Sequence, residues 1–283
     1  MMKQIKKEDA VFSLPEYKQD FAVFHIFDMI RNGEEAMLYS DGANYVIARS
    51  NPSTPIWIWS KDHISQDIID EILNQLDKMI GEGNRVQITS KKEIFEKIIT
   101  YFGDKVVHNA YPEKDYYQKM NVYENLAPKI QKEFSGSLST MRSDEAELVA
   151  QYIADDLNET TTTPTNALEQ LEAAKAMVAD PSYRAWRNPE GKLVAYATYT
   201  GYITDRNQRL TNVFTARDER CHGYAGMLVY AMSQQVIESG KIPLLYVDGD
   251  YLASNQCYKN VNYQLVGTLY NVKIEKTEKY NKN

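Results

Sequence analysis

Val213-Phe214-Thr215-Ala216-Arg217-Asp218-Glu219-Arg220-Cys221-His222-Gly223-Tyr224-Ala225-Gly226 changes character twice. An apolar strand end runs into a charged loop, and Arg220-x-x-Gly223-x-Ala225 then opens an amphipathic helix. Ala225, Leu228, Val229, Met232 and Val236 share one face of that helix. Small residues at 223 and 225 let a ligand's oxygens approach the backbone closely. The first-turn amides of a helix have no helical partners, and the dipole places roughly +0.5 charge there. The stretch therefore reads as an anion site, and a pyrophosphate suits it better than a lone carboxylate. Taken alone, the same pattern also describes a loop-to-helix turn that holds no ligand.

Around this stretch, strands are expected at Tyr183–Arg187, Lys192–Thr200 and Arg209–Thr215, with Asn188-Pro189-Glu190-Gly191 as a type I turn. Upstream, Ser143 is expected to cap a helix carrying Leu148, Val149, Tyr152 and Ile153, and a second helix spans Asn166–Ala179. Downstream come a helix to Ser239, a strand Pro243–Asp248, a short helix Ala253–Val261 and strand material from Tyr263 to Ile274. The first half has nearly the same order of elements. It begins with a helix over Glu16–Arg31, then strands Ala36–Ser40 and Asn44–Ser50 around the hairpin signal Asp41-Gly42. A strand at Ile56–Trp59 and a helix bearing Ile69, Ile72, Leu73, Leu76 and Ile80 follow. Strand Arg85–Thr89, a capping box Ser90-Lys91-Lys92-Glu93 opening a further helix, and strand Tyr116–Tyr123 complete the half. No residue-level repeat accompanies this order, so two unrelated α/β domains would also satisfy it. The join falls in Glu124–Ser137, which gives domains 1–130 and 131–283.

About thirty residues beyond Arg220 comes Asp250-Tyr251-Leu252-Ala253-Ser254-Asn255-Gln256-Cys257-Tyr258-Lys259-Asn260-Val261-Asn262-Tyr263. With both segments in this order, Ser139–Ile274 resembles the GNAT superfamily of acyl-CoA-dependent N-acyltransferases. The resemblance covers about half the chain. It implies an α/β (α+β) fold, with mixed, mostly antiparallel sheets flanked by helices, arranged in tandem if the first half follows suit. It also implies acetyl-CoA as co-substrate. The backbone of Val213, Phe214 and Thr215 would pair with the pantetheine arm. Amides across Cys221, His222, Gly223, Tyr224 and Ala225 would hold the phosphates, with Arg220 at the loop's start. Asn255 would bond the pantetheine region, and Tyr258 would protonate the departing thiolate. Tyr258 also fits a plain aromatic filling the short helix.

This sequence departs from the family pattern at three places. Cys221 stands where glycine is usual, Asn262-Tyr263 replaces the common Gly-Phe, and no carboxylate lies on Arg209–Thr215 to serve as base. Asp248 or a water chain could take that role. Cys221 has no evident base beside it, which argues against covalent catalysis. In the first half the corresponding loop Ser60-Lys61-Asp62-His63-Ile64-Ser65 holds no glycine, so that half reads as a degenerate GNAT-type fold serving as a wall of the acceptor pocket.

Composition sets the outer bounds. At 283 residues and 43% hydrophobic content, the chain has enough apolar material for two domains of roughly 150 residues. A net charge of −7 gives no general pull on nucleic acid or anionic membrane. No apolar run reaches the roughly 18 residues of a membrane helix, and the start lacks the apolar core of a signal peptide. Cys221 and Cys257 suggest neither a disulfide framework nor a zinc site. His25, His63 and His108 are scattered, His222 reads as a solvated loop residue or a phosphate contact, and the tail Lys273–Asn283 as a solvated end. The expectation is a cytoplasmic enzyme, monomeric or homodimeric, acetylating a small-molecule amine without metal. A non-catalytic acyl-CoA-binding or interaction protein on the same fold is the alternative.

Overall fold

Asp41-Gly42 forms the hairpin its sequence signals. Gly42 takes φ 86°, and the Asp41 carboxylate accepts the Ala43 and Asn44 amides at 2.9 and 2.7 Å. It joins β2 (Met37–Ser40) to β3 (Tyr45–Arg49). The structure is a computed structural model that describes residues 1–81, 84–107, 117–130, 135–161 and 163–276. The chain divides into two compact units: Met1–Val122 with Asp248–Asp250 and Val266–Asn283, and Tyr123–Val247 with Tyr251–Leu265.

In the first unit, β1 (Lys3–Gln4), β2, β3 and β4 (Ile56–Ser60) are antiparallel neighbours, and β5 (Arg85–Ser90) runs parallel to β4. Tyr270–Glu275, from the far end of the sequence, pairs antiparallel with β5. The helix expected over Glu16–Arg31 is broken into α1 (Pro15–Gln19) and α2 (Ile26–Asn32). Ala22, Val23, Phe24 and Phe27 are all buried. Three successive residues point three ways around a helix, so one straight helix could not bury them against one surface. Helix α3 (Gln66–Met79) buries Ile69, Ile72, Leu73 and Leu76, each contributing about 1.5–3 kcal/mol. Helix α4 (Lys92–Phe102) adds Ile94, Phe95, Ile98 and Phe102 to the same core. The expected Ser90 capping box does not form. Ser90 ends β5, Lys91 is the N-cap, and no side chain caps α4. Short β6 (Val106–Val107) and β7 (Tyr117–Glu124) follow; His108 and Tyr116 lie outside the described residues.

The second unit is built on β8 (Ser137–Ser139), β9 (Tyr183–Arg187), β10 (Leu193–Ile203), β11 (Asn207–Thr215) and β12 (Ile242–Asp248). Neighbours are antiparallel except β11 and β12, which are parallel. Strand β8 was not foreseen from the sequence. Helices α5 (Ala146–Thr160) and α6 (Ala167–Ala179) cover one face over Tyr152, Ala174, Tyr196 and Phe214. Helix α7 (Tyr224–Glu238) covers the other over Ala195, Ala197, Leu210 and Val229. Ser143 does not cap α5: it opens a 3-10 turn, and Glu145 accepts the Arg142 amide at 2.8 Å. Asn166 does cap α6, accepting the Leu168 and Glu169 amides. Arg187, buried on β9, pairs with Glu145 through two nitrogens and with the Thr140 carbonyl, which pins the start of α5 to the sheet. Helix α8 (Leu252–Asn260) packs on α7, where a Cβ on Gly226 would lie 3.8 Å from the Cys257 sulfur. Strand β13 (Gln264–Glu275) takes in the start of the tail expected to be solvated from Lys273: Lys273–Glu275 pair with β5 and Lys276 is buried against Asp77, while residues 277–283 lie outside the described residues.

Candidate functional site

Strand β11 carries one residue too many. Its register with β10 runs Ala195↔Thr215 and Tyr196↔Phe214, then jumps to Thr198↔Thr211. The extra residue is a bulge at Asn212–Val213, with Asn212 at φ 52°. Asparagine tolerates this left-handed conformation better than most residues. Its amide also donates to the Tyr183 hydroxyl at 3.2 Å. Bulges bend a strand and raise its twist. The consequence is visible on the other side: the ladder to β12 runs from Asn207↔Ile242 to Leu210↔Leu245 and stops. Residues 211–215 thus present an open strand edge, able to pair with another extended chain.

Val213, Phe214 and Thr215 lie on that edge. Val213 packs with the α7-side cluster that also holds Tyr258, whereas Phe214 stacks on Tyr196 at 5.0 Å on the opposite face. The Thr215 hydroxyl is buried and has no hydrogen-bond partner. An orphaned buried hydroxyl costs roughly 1–3 kcal/mol.

A short 3-10 turn, Arg217–Glu219, then leads into α7. Cys221 takes φ 66° and Gly223 φ 87°, two left-handed residues in three positions. At Gly223 the conformation is the constraint, since an added Cβ would approach only Met227 at 3.7 Å. The Met227 amide donates to the Gly223 carbonyl at 3.1 Å. The amides of Tyr224, Ala225 and Gly226 therefore precede the helical ladder and are available to an anion. His222 stacks on Tyr224 at 5.7 Å, with Nδ1 3.2 Å from the Glu219 carbonyl.

Arg220 does not stand free beside these amides. Its Nε donates to the Thr215 carbonyl at 3.2 Å, and Nη2 lies 2.9 Å from the Glu159 carboxylate. Arg217 donates from Nε and Nη2 to the same carboxylate at 2.8 and 2.7 Å. Burial acts to raise the Glu159 pKa, but the two guanidinium groups outweigh it and hold the carboxyl below its ordinary range.

On α8, Asn255 accepts from the Tyr123 hydroxyl at 2.9 Å and donates to the Tyr251 carbonyl at 2.8 Å, so both ends of its amide are engaged. Tyr258 is 6% exposed and sits between the rings of Tyr123 and Tyr263. Burial above all, and then neighbouring Cys257, push its hydroxyl well above the ordinary tyrosine range; a hydrogen bond with Ser254 only partly offsets this. The group holds its proton at neutral pH. Burial also raises the Cys257 thiol to about 11, so it is not a thiolate. Cys221 is exposed. Asp248 ends β12 and groups with residues of the first unit.

Two acids near this region escaped the sequence reading. Asp156 lies seven residues after Val149, on the stripe of Val149, Tyr152 and Ile153, so an acid on a buried face was legible there. Burial, and then Glu159, raise its pKa, with Arg220 opposing. Glu159 had no such signal, because its partners lie 58 and 61 positions away.

The first unit has a related layout with different detail. Strand β4 pairs with β3 from Tyr45↔Ser60 to Ala48↔Trp57 without a shift, so it carries no bulge there. A cavity of about 400 Å³ lies at its end, lined by Asp20, Lys61, Asp62, His63 and Lys91 among others. The cations there are already paired: Lys91 with Asp20 and Asp62, Lys61 with Glu16. His25 is buried. Among the described residues, no three His, Cys, Asp or Glu side chains gather to hold a metal ion, and no helix is long and apolar enough to cross a membrane.

Residues 192–272 match the family described as FR47-like protein. No curated protein matches the chain. A GCN5-related N-acetyltransferase from Sphaerobacter thermophilus aligns over 98% of this chain and 96% of its own, at TM-score 0.62 and 12% identity. A GNAT-family acetyltransferase from Colwellia psychrerythraea aligns over 97% of this chain and 100% of its own, at 0.54 and 10%. A GCN5-related N-acetyltransferase from Kribbella flavida gives 92%, 96%, 0.52 and 13%. The fold is a GNAT fold. The mixed, mostly antiparallel architecture implied by the sequence resemblance is the one observed.

Proposed function

We propose that this protein moves an acetyl group from acetyl-CoA to the nitrogen of a small-molecule amine, by direct attack in a ternary complex. One observation carries the reading: an open strand edge at 211–215 leads directly into a helix start whose amides lack partners. That edge suits an extended amide-bearing chain, and the helix start suits the phosphates attached to it. The orphaned Thr215 hydroxyl marks a place where a polar ligand atom would relieve a standing cost.

Acetyl-CoA, when bound, supplies the activated thioester. The backbone of Val213, Phe214 and Thr215 would bind its pantetheine arm as an added strand. Amides from Cys221 to Ala225 would hold its phosphates, and Arg220 would reach them by exchanging Glu159 for phosphate. Asn255 would support the pantetheine by re-pairing its amide. Tyr258 holds a proton that the departing thiolate needs. Proton removal from the amine would fall to Asp248 or to water. With both cysteines reduced, a cytosolic setting fits.

The alternative, an acyl-CoA-binding protein without turnover, is favoured by one observation. Arg217 and Arg220 are already neutralised by Glu159. Release of free thiol from acetyl-CoA across a panel of amines, alongside calorimetric titration with acetyl-CoA, separates the readings. Binding with amine-dependent thiol release supports transfer. Binding without release supports the alternative, and absence of binding overturns both.

A further inference from the structure

Arg209 lies on β11 one residue before Leu210↔Leu245, the last pair of the ladder to β12 and thus the lip of the opening. Its guanidinium carbon sits 4.6 Å from the ring centre of Tyr246, two residues beyond its ladder partner Leu244. The side chain is half-buried, and its Nε is buried without a hydrogen-bond partner. No carboxylate among the described residues pairs with it. Arg187 also has an orphaned Nε, but the two arginines that are more deeply buried have partners elsewhere on the guanidinium. Arg187 meets Glu145 and the Thr140 carbonyl, and Arg49 meets the carbonyls of Pro52, Thr54 and Met79.

Guanidinium stays charged under all ordinary conditions, so burial cannot be relieved by losing the proton. Burial does lower the Arg209 pKa, and Tyr246 opposes this. Withdrawing a charge from water without a counter-charge is costly, and a carboxylate is the planar partner that fits the guanidinium fork. Tyr246 supports the group from one face and leaves its edge for such a partner. The location matters as much as the chemistry. Val213 is four residues further along, so at about 3.3 Å per residue the two positions lie within about 13 Å, less the shortening at the bulge.

We propose that Arg209 anchors a carboxylate on the acceptor, so that the acceptors are amines that also carry a carboxylate, such as amino acids or short peptides. This rests on the acetyl-transfer reading. Polyamines and aminoglycosides, which are cationic throughout, would meet a like charge at the lip.

The test compares free amino acids and dipeptides with their own C-terminal amides, by thiol release from acetyl-CoA, in wild type, R209Q and R209K. Amidation lowers the amine's pKa and so favours the amide chemically, which works against the expected result. Wild type is expected to prefer the free acid by more than tenfold in kcat/KM. In R209Q the ratio should fall to within about threefold of unity, through a raised acceptor KM. R209K keeps the charge without the planar fork and should fall between. The melting temperature of R209Q should equal or exceed that of wild type, because an uncompensated buried charge is removed. Equal or better use of the amides by wild type would overturn the inference and leave acetyl transfer standing. So would a ratio in R209Q as large as in wild type, or a fall in its melting temperature showing a structural role. Turnover of no amine at all would overturn the acetyl-transfer reading and this inference with it.

Discussion

Replacing Tyr258 by phenylalanine removes one hydroxyl and leaves the ring between Tyr123 and Tyr263 in place. The aromatic packing therefore survives. The lost interaction is the hydrogen bond with Ser254, a half-buried residue that can turn toward water. A single neutral hydrogen bond contributes about 0.5–1.5 kcal/mol, so the variant should fold and melt slightly earlier. Catalysis should respond on a different scale. A positioned proton donor is worth about 10²–10⁴ in rate, or roughly 3–5 kcal/mol at 1.36 kcal/mol per decade. Acetyl-CoA affinity should change by less than about threefold, because backbone and phosphate contacts are untouched. The assay pairs steady-state thiol release with calorimetric binding and a thermal melt on the same preparations. A kcat within threefold of wild type would refute the reasoning and move the proton source to solvent or another group. A large loss of binding with little loss of kcat would make Tyr258 a packing residue.

Thr215→Val replaces an orphaned buried hydroxyl by an isosteric methyl. Thermal stability should rise by about 1 kcal/mol, while calorimetry should show weaker acetyl-CoA binding if the hydroxyl meets the ligand. Glu159→Gln frees Arg217 and Arg220. Exposed pairs of this kind hold their partners weakly, so acetyl-CoA affinity at low salt should rise by up to about fivefold; unchanged affinity would mean the arginines never reach the phosphates. Burial acts to raise the Glu145 pKa, but Arg187 outweighs it and holds the carboxyl below its ordinary value of 4.5. Such a carboxyl adds stability above the unfolded-state value and loses it as pH falls through the folded one. Wild type should thus lose stability below about pH 4.5, and Glu145→Gln, at neutral pH, should cost about 3 kcal/mol in a denaturant titration.

Much of the second unit was legible because its signals are local. The helix beginning at Asn166, the turn ending at Gly191, and the loop Arg220–Ala225 opening α7 each depend on residues adjacent in sequence. The misreadings come from competing structure that residue type and period do not reveal. The apolar period predicts one helix over Glu16–Arg31, yet the consecutive buried residues at 22–24 require a break. Ser90 and Ser143 have the right type for caps, but β5 and a 3-10 turn claim them first. The bulge in β11 was not legible at all, because one extra residue shows only against the register of β10. The same is true of Arg220: its position in the loop was read, and its engagement by Glu159 on α5 was not.

The bulge also explains why one loop reads as a ligand site and the other does not. Strands β4 and β11 both end in a charged turn before a helix, and both have an antiparallel neighbour on one side and a parallel one on the other. Strand β4 keeps perfect register with β3, pairs with β5 through Ile58↔Ser90, and ends two residues later. It has no run of five free residues to offer, and the charges beyond it neutralise one another. Strand β11 loses its parallel neighbour after Leu210, so over the five residues that follow the backbone groups that do not pair with β10 have no strand partner on that side, and the Thr215 carbonyl accepts from Arg220. A net charge of −7 does not prevent an anion from binding there. The positive potential comes from helix-start amides a few ångströms away, and bulk charge is screened over about 8–10 Å at physiological salt. Closing the edge tests this account. Deletion of Asn212 would restore a two-for-two register with β10, extend the ladder to β12, and abolish acetyl-CoA binding in calorimetry while raising thermal stability. Retained binding would show that the site does not depend on the open edge.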